Sequence, residues 1–248
     1  MDSPHSEPAA VITRVAEHHW HALSADRVVG RAEASRRPDG RLFLSIDTWH
    51  TDDFARLASA MLPALPRPLY TVVDEADDGL KSCWERAGFK TRRREFEYVV
   101  ATAPATVPPG VTIGPAADQD LLRSLDDVVR AEVEASAGWS SMPAEVLPRP
   151  AVLDLAKYVV ASEAGHYVGL VRLGPVRRQT RIGLIAVRAD HQRRGIGRSL
   201  LTHVLDSLHR RGIESVSFEV DEGNATAIAL VQGFGARRMG STVELVVR

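Results

Sequence analysis

Cysteine is nearly missing from this sequence. Cys83 is the only one among 248 residues, so no disulfide can close within the chain, and a reducing, cytoplasmic setting is expected. Aromatic residues make up only 6%. No apolar run approaches the roughly 20 residues that span a bilayer, so no membrane partner is expected. The polar, proline-containing opening MDSPHSEPAA is unlike a signal peptide. Nor does one sign of charge dominate. The 31 Lys and Arg against 32 Asp and Glu leave a net charge of −1, which excludes a general pull toward nucleic acid and makes any anion site a local one. The basic run Arg92–Arg94 reads as a solvated turn. His18, His19 and His21 lie close together, but no carboxylate or cysteine joins them at ligand spacing, so no metal is expected.

What is present is an ordinary globular composition, 44% apolar and 25% charged, in a length that admits one large or two small domains. The chain also repeats itself. VDEAD at Val73–Asp77 returns as VDEGN at Val220–Asn224, and the same offset aligns Leu57 with Val204, Met61 with Leu208 and Gly88 with Gly235. It also aligns residues 97–100 (EYVV) with 244–247 (ELVV). Upstream, at a shorter offset, Val29-Gly30 matches Val168-Gly169 and Ile46 matches Ile185. The offset changes between Trp49 and Phe54, where the first copy reads WHTDDF and the second RADHQRRGIGRSLL. The first copy therefore has Asp52 and Asp53 in place of an arginine-glycine turn. Proline-rich ATAPATVPPG joins the copies. The expected organisation is a degenerate, truncated domain over residues 1–100, a linker over 101–110, and a complete domain over 111–248. The first copy is expected to start late, without the counterpart of residues 111 to about 150.

Periodicity gives the second copy its elements. Leu121, Leu125, Val128 and Val129 have helical spacing. KYVVASEAGHYVGLVRLG reads as a hairpin turning at 163–165, RIGLIAV as a strand, and Leu200, Leu201, Val204, Leu205 and Leu208 as one helix face. SVSFEV, NATAIALVQ and STVELVV follow as strand, helix and strand. The result is a mixed α/β sheet flanked by helices.

A strand, the turn QRRGIG and an amphipathic helix together form an anion cradle. The first turn of a helix leaves N–H groups without partners, and its dipole favours negative charge. Gly195 and Gly197 allow close approach of the backbone, and Arg193, Arg194 and Arg198 add charge. A basic loop that merely caps a helix is the plainer reading.

QRRGIG resembles the Q/R-x-x-G-x-G/A loop of the GCN5-related N-acetyltransferase (GNAT) family, and VDEGNATAIALV resembles the strand and helix that follow it there. The resemblance implies a GNAT-like, mostly antiparallel sheet flanked by helices, with a truncated N-terminal repeat of the same fold. It implies acetyl-CoA as co-substrate, with Ile185, Ala186 and Val187 as the splayed strand meeting the pantetheine arm. Gln192, Arg193, Arg194, Gly195, Ile196, Gly197, Arg198 and Ser199 would bind the pyrophosphate, and Asn224 the CoA chain near the thiol.

Acetyl transfer to an amine needs a base and a way for the thiolate to leave. The family's usual tyrosine acid falls at Val231, so a simple tyrosine mechanism is not available. Glu219, in SFEV, is similar in place to the glutamate of amino-terminal acetylating members; it reads equally as a glutamate on a solvated strand face. Ser217, one strand period away, is a candidate proton relay through water. Trp139, in the loop over 135–143, with Glu132 or Glu134, is a candidate receptor for a cationic amine, or else Trp139 is a core plug. The reading is an N-acetyltransferase acting on a small-molecule or peptide amine, the copies packing as an intrachain pseudo-dimer. A non-catalytic acyl-CoA-binding or regulatory module is the alternative.

Overall fold

Stretches of period two become strands and stretches of period 3.6 become helices in the computed structural model, which describes residues 10–107, 110–142, 146–174 and 180–248. The chain divides into two units: residues up to Arg94 together with Ser241–Arg248, and Glu95–Gly240.

In the first unit, β1 (Val11–Ala16), β2 (His19–Ser24), β3 (Arg27–Arg36) and β4 (Leu42–Thr48) pair in succession, all antiparallel. Helix α1 (Thr51–Met61) then crosses over to β5 (Leu69–Asp74), which runs parallel to β4, and α2 (Asp78–Arg86) follows. The core packs Trp20, Phe54, Leu57, Met61 and Trp84 on one face of this sheet. Trp84 meets Phe54 and Phe89 edge-on, with ring centroids 5.0 and 4.8 Å apart. Cys83 packs at the margin of that core.

The second unit repeats the pattern with one addition. Strand β7 (Thr112–Pro115) is followed by α3 (Gln119–Ser136), and then come β8 (Tyr158–Glu163), β9 (His166–Leu173) and β10 (Thr180–Val187). These four strands pair antiparallel in sequence order, and β11 (Ser215–Asp221) runs parallel to β10 after α4 (Ile196–Arg210). Helix α5 (Ala225–Gln232) comes next. Leu200, Leu201, Val204, Leu205 and Leu208 are all buried, as the helix face required. On α3 the buried stripe is instead Leu122, Leu125, Asp126 and Val129, rotated from the expected Leu121/Val128 side because an acidic residue belongs to it.

Two expectations are corrected. The first copy does not lack its first strand: β1 stands beside β2 as β7 stands beside β8, and what is missing is a counterpart of α3. The units also do not separate at the 101–110 linker. Closing strand β6 (Lys90–Ala101) pairs antiparallel with β11 through Glu95–Ala101, inside the second unit. Closing strand β12 (Arg237–Val247) pairs antiparallel with β5 through Thr242–Val247, inside the first. The matching segments 97–100 and 244–247 have thus changed places. Both carry the same apolar alternation, so either sheet edge accepts either strand.

Strand β12 brings Glu244 into the first unit at 5% exposure, where Arg41 lies 3.3 Å away, Arg93 lies 3.8 Å away and Arg92 bonds the same carboxylate. Glu75 beside it accepts from Arg94 at 2.8 Å and from Ser241 at 2.7 Å. Those two bonds, the serine's first, hold its carboxyl below the usual carboxylate range. Removing the Glu244 carboxylate leaves three guanidinium groups without their shared counter-ion. Glu244→Ala is expected to destabilise the chain by about 3 kcal/mol in chemical denaturation, at the low end for a buried pair because the arginines keep some solvent.

Candidate functional site

The site is set by where β10 and β11 stop pairing. Their parallel ladder runs through Thr180–Val216, Arg181–Ser217 and Ile182–Phe218 and then ends. Beyond it, β10 pairs only with β9 through 184–187, and β11 only with β6 through 219–221. The register of β10 against β9 shifts between Ile182 and Leu184. This bulge turns the strand over: Ile185 and Val187 stay with the α4 core, whereas Leu184 and Ala186 point toward the α3 core. A cleft with one-sided backbone on each wall results.

At its mouth the chain turns into α4. Gly195 caps the helix with φ of +79°, a left-handed conformation natural to glycine, and Arg193 is also left-handed at +63°. A Cβ on Gly195 would meet nothing within 4 Å, so it is the dihedral, not crowding, that demands glycine there. Ile196 is buried in the core, which fixes the helix start. Ser199 N–H already bonds the Gly195 carbonyl at 3.0 Å, so the free N–H groups end at Arg198, and the Ser199 side chain is buried. The Gln192 side chain donates to the Val187 carbonyl at 3.0 Å and ties the turn to β10.

The three arginines are not equivalent. Arg194 forms a two-bond pair with Glu163, one contact at 3.0 Å. Arg198 reaches the Gly233 carbonyl at 3.3 Å and lies over the Phe234 ring at 5.2 Å. Arg193 is exposed, with no carboxylate at ion-pair distance among the described residues. His191 bridges Glu163 at 3.1 Å and Asp190 at 2.6 Å. The Arg194 bond, followed by His191, holds Glu163 below the usual carboxylate range.

Glu219 and Ser217 project from β11 on the face opposite Val216, Phe218 and Val220, which pack against α4. Arg181 donates to Glu219 at 2.6 Å and sits beside Ser217 across the ladder. Asn224 caps α5, its Oδ1 accepting from Ala227 N–H at 3.0 Å. Val231 is 1% exposed and belongs to the core, so no acid can act from that position.

On the α3 side the residues of the expected cation receptor already have partners within the protein. Glu132 accepts from the Ala189 N–H at 3.0 Å, and Glu134 accepts from the Trp139 N–H at 2.6 Å. Both carboxylates hold backbone. Arg130 lies over the Trp139 ring at 4.3 Å, so a cation already occupies that ring face. Pro143, at the end of the expected loop, lies outside the described residues. Trp139 does line a cavity of about 290 Å³. Its floor is a row across three strands, Tyr158 beside Arg172 beside Leu184, and α3 roofs it with Asp126 and Arg130. None of Tyr158, Arg172, Asp126 and Arg130 stood out in the sequence; only the buried acidic residue inside a helical stripe could have signalled them. Burial, foremost, pushes the Tyr158 phenol up, so it stays protonated. Among the described residues no group of three or more His, Cys, Asp and Glu could hold a metal, and no helix is long and apolar enough to cross a membrane.

Residues 128–236 match the model of the acetyltransferase (GNAT) family. The [ribosomal protein bS18]-alanine N-acetyltransferase of Escherichia coli (strain K12) is 49% identical over 51 residues, covering 21% of this chain and 34% of that protein. The chain thus spans about a third of the length of the curated relatives it matches at that level. The mycothiol acetyltransferase of Acidimicrobium ferrooxidans is 26% identical over 236 residues, covering 86% of this chain and 76% of its own. The crystal structure of a GCN5-related N-acetyltransferase from Sphaerobacter thermophilus superposes with a TM-score of 0.70 at 16% identity, over 95% of this chain and 82% of that one. The fold is GNAT-like, and the residues that match the family model, 128–236, lie within the second unit.

The Glu163–Arg194 pair yields a prediction about the turn. The folded-state pKa of Glu163 lies below its unfolded value, so the pair is complete above the ordinary glutamate range and is lost only as pH falls through the depressed value. At neutral pH Arg194 is therefore engaged. Glu163→Gln is expected to release it and to strengthen binding of inorganic pyrophosphate about threefold by calorimetry at low salt.

Proposed function

We propose that the second unit is an acetyl-CoA-dependent N-acetyltransferase whose acceptor is a primary amine of a small molecule or a peptide amino-terminus. The observation that carries this reading is the parting of β10 from β11 beyond Ile182–Phe218, on the strand that leads into the free first turn of α4. The pantetheine arm would lie along the one-sided backbone of Ile185, Ala186 and Val187. The pyrophosphate would meet the N–H groups of Ile196, Gly197 and Arg198, with Arg193 as the unengaged cation and Arg194 and Arg198 shared with protein partners. Asn224 uses only its oxygen in capping α5, which leaves its amide N–H groups for the CoA chain.

An ammonium has no lone pair, so the acceptor must lose a proton before its nitrogen attacks the thioester carbonyl. Glu219 stands where β11 has left β10 and takes that proton, steadied by Arg181. The C–N bond forms, the C–S bond breaks, and the departing thiolate is protonated from water, since Val231 offers no acid. Ser217, one strand period away, passes the proton along.

The first unit is read as a degenerate copy without this site. Its strand order and its single parallel pair match the second unit's. Gly30 and Gly169 each let a leucine of the next helix, Leu57 or Leu200, stand 3.1 Å from where a Cβ would be. Yet β4 passes into α1 through Trp49 and His50 alone, and Asp52 and Asp53 fill the first turn. Thr71 closes the parting strands by donating to the Leu44 carbonyl at 2.9 Å. The exchanged closing strands support reading the whole as an intrachain pseudo-dimer.

Calorimetry should count one CoA per chain, and Gly195→Val, which places a β-branched residue at positive φ, should abolish that binding. Glu219→Gln should lower kcat about 100-fold while leaving CoA affinity unchanged. CoA binding with no thiol released from any amine would instead favour an acyl-CoA-binding module.

A further inference from the structure

The cavity beneath α3 keeps one charge that the protein does not balance. Asp126, 2% exposed, is bonded by Arg130 at 2.7 Å, with Arg123 at 3.8 Å. Arg130 is spent further on the carbonyls of Val146 and Pro148, at 3.3 and 3.0 Å, which pins the segment forming the cavity wall. Lys157 pairs with Asp154 at 3.2 Å. Each of these lining cations has its anion. Arg172 does not: among the described residues no carboxylate lies within ion-pair distance of it, and its side-chain partner is the neutral Tyr158 phenol.

Neutral donors surround that charge. The Trp139 indole N–H is buried in the lining without a hydrogen-bond partner, a state that costs free energy unless a ligand relieves it. The protonated Tyr158 hydroxyl stands beside Arg172 across the strand pair and retains its hydrogen to donate. One uncompensated guanidinium flanked by neutral donors suits a single, planar, monoanionic group, since guanidinium and carboxylate match fork to fork. The cavity volume sits at the small end for sites that take small molecules, too little for a folded protein surface. Its floor runs from Arg172 directly to Leu184, the residue the bulge turns toward α3 on the arm of β10 that has left β11.

The geometry points to an aminocarboxylate acceptor: a small amine whose carboxylate is held by Arg172, with the Trp139 N–H as a second donor, and whose amine lies toward the cleft between β10 and β11. This substrate class rests on the acetyltransferase reading, but its test does not require turnover. Full-length protein with CoA present is titrated by calorimetry with a panel of α- and ω-amino acids, each against its own carboxamide. At least one acid should bind ten times or more tighter than its amide, and Arg172→Gln should bring the two within about threefold. Arg172→Lys, which keeps the charge and serves as the folding control, should retain most of the preference. Trp139→Phe, which keeps an aromatic ring under Arg130 and removes the N–H together with the five-membered ring, should weaken acid binding about threefold to tenfold. Equal affinity for acid and amide, a preference unchanged in Arg172→Gln, or no binding by any member of the panel would overturn the assignment. Acid-selective binding without thiol release would leave it standing and overturn the acetyltransferase reading alone.

Discussion

Everything at this site depends on a short parallel ladder that stops. Three paired positions hold β10 to β11, and past Ile182–Phe218 the two strands commit to opposite neighbours. A sheet that opens leaves backbone groups facing a gap, and an extended ligand with amide groups of its own can satisfy them. The bulge near Gly183 belongs to the same event. It sends Ile185 and Val187 into the α4 core and Leu184 toward α3, so one strand anchors the helix that carries the anion turn and also floors the cavity. Without the break there would be neither the open wall of the cleft nor the floor of the cavity.

Much of this was legible because it rests on local chemistry. The face of α4, the hairpin of β8 and β9 and the glycine at the α4 cap follow from spacing and from dihedral demand. The rest depends on facts a sequence does not carry. Strand β7 is four residues containing glycine and proline, too short for alternation to register. Asp126 looks like a solvated residue until Arg130 and Arg123 are seen to neutralise it. Glu132 and Glu134 were plausible cation ligands by type, yet each is drawn to a backbone N–H a few ångströms away. Arg172 was silent for the opposite reason. Its meaning lies in the lack, among the described residues, of a carboxylate at ion-pair distance from it.

The arginines around the anion turn show how an acidic residue tunes a basic site. Glu163 takes Arg194 and touches His191, so the turn presents less free charge than its sequence suggests. Such a turn can grip a pyrophosphate through backbone N–H groups while avoiding the indiscriminate anion binding that three bare arginines would bring.

The exchanged closing strands bear on the order in which this chain can be made. Leu69 pairs with Val247, so the first unit's sheet lacks its closing strand until the whole of the second unit has left the ribosome. The second unit has its share, Glu95–Ala101, in hand before its own first strand is synthesised. Synthesis from the amino terminus therefore favours completing the later unit first, with the earlier one waiting, its β5 edge unpaired. A nascent chain of this design is most exposed to misassembly in its earlier unit, and the contact that ends the exposure comes only after the later unit has been translated.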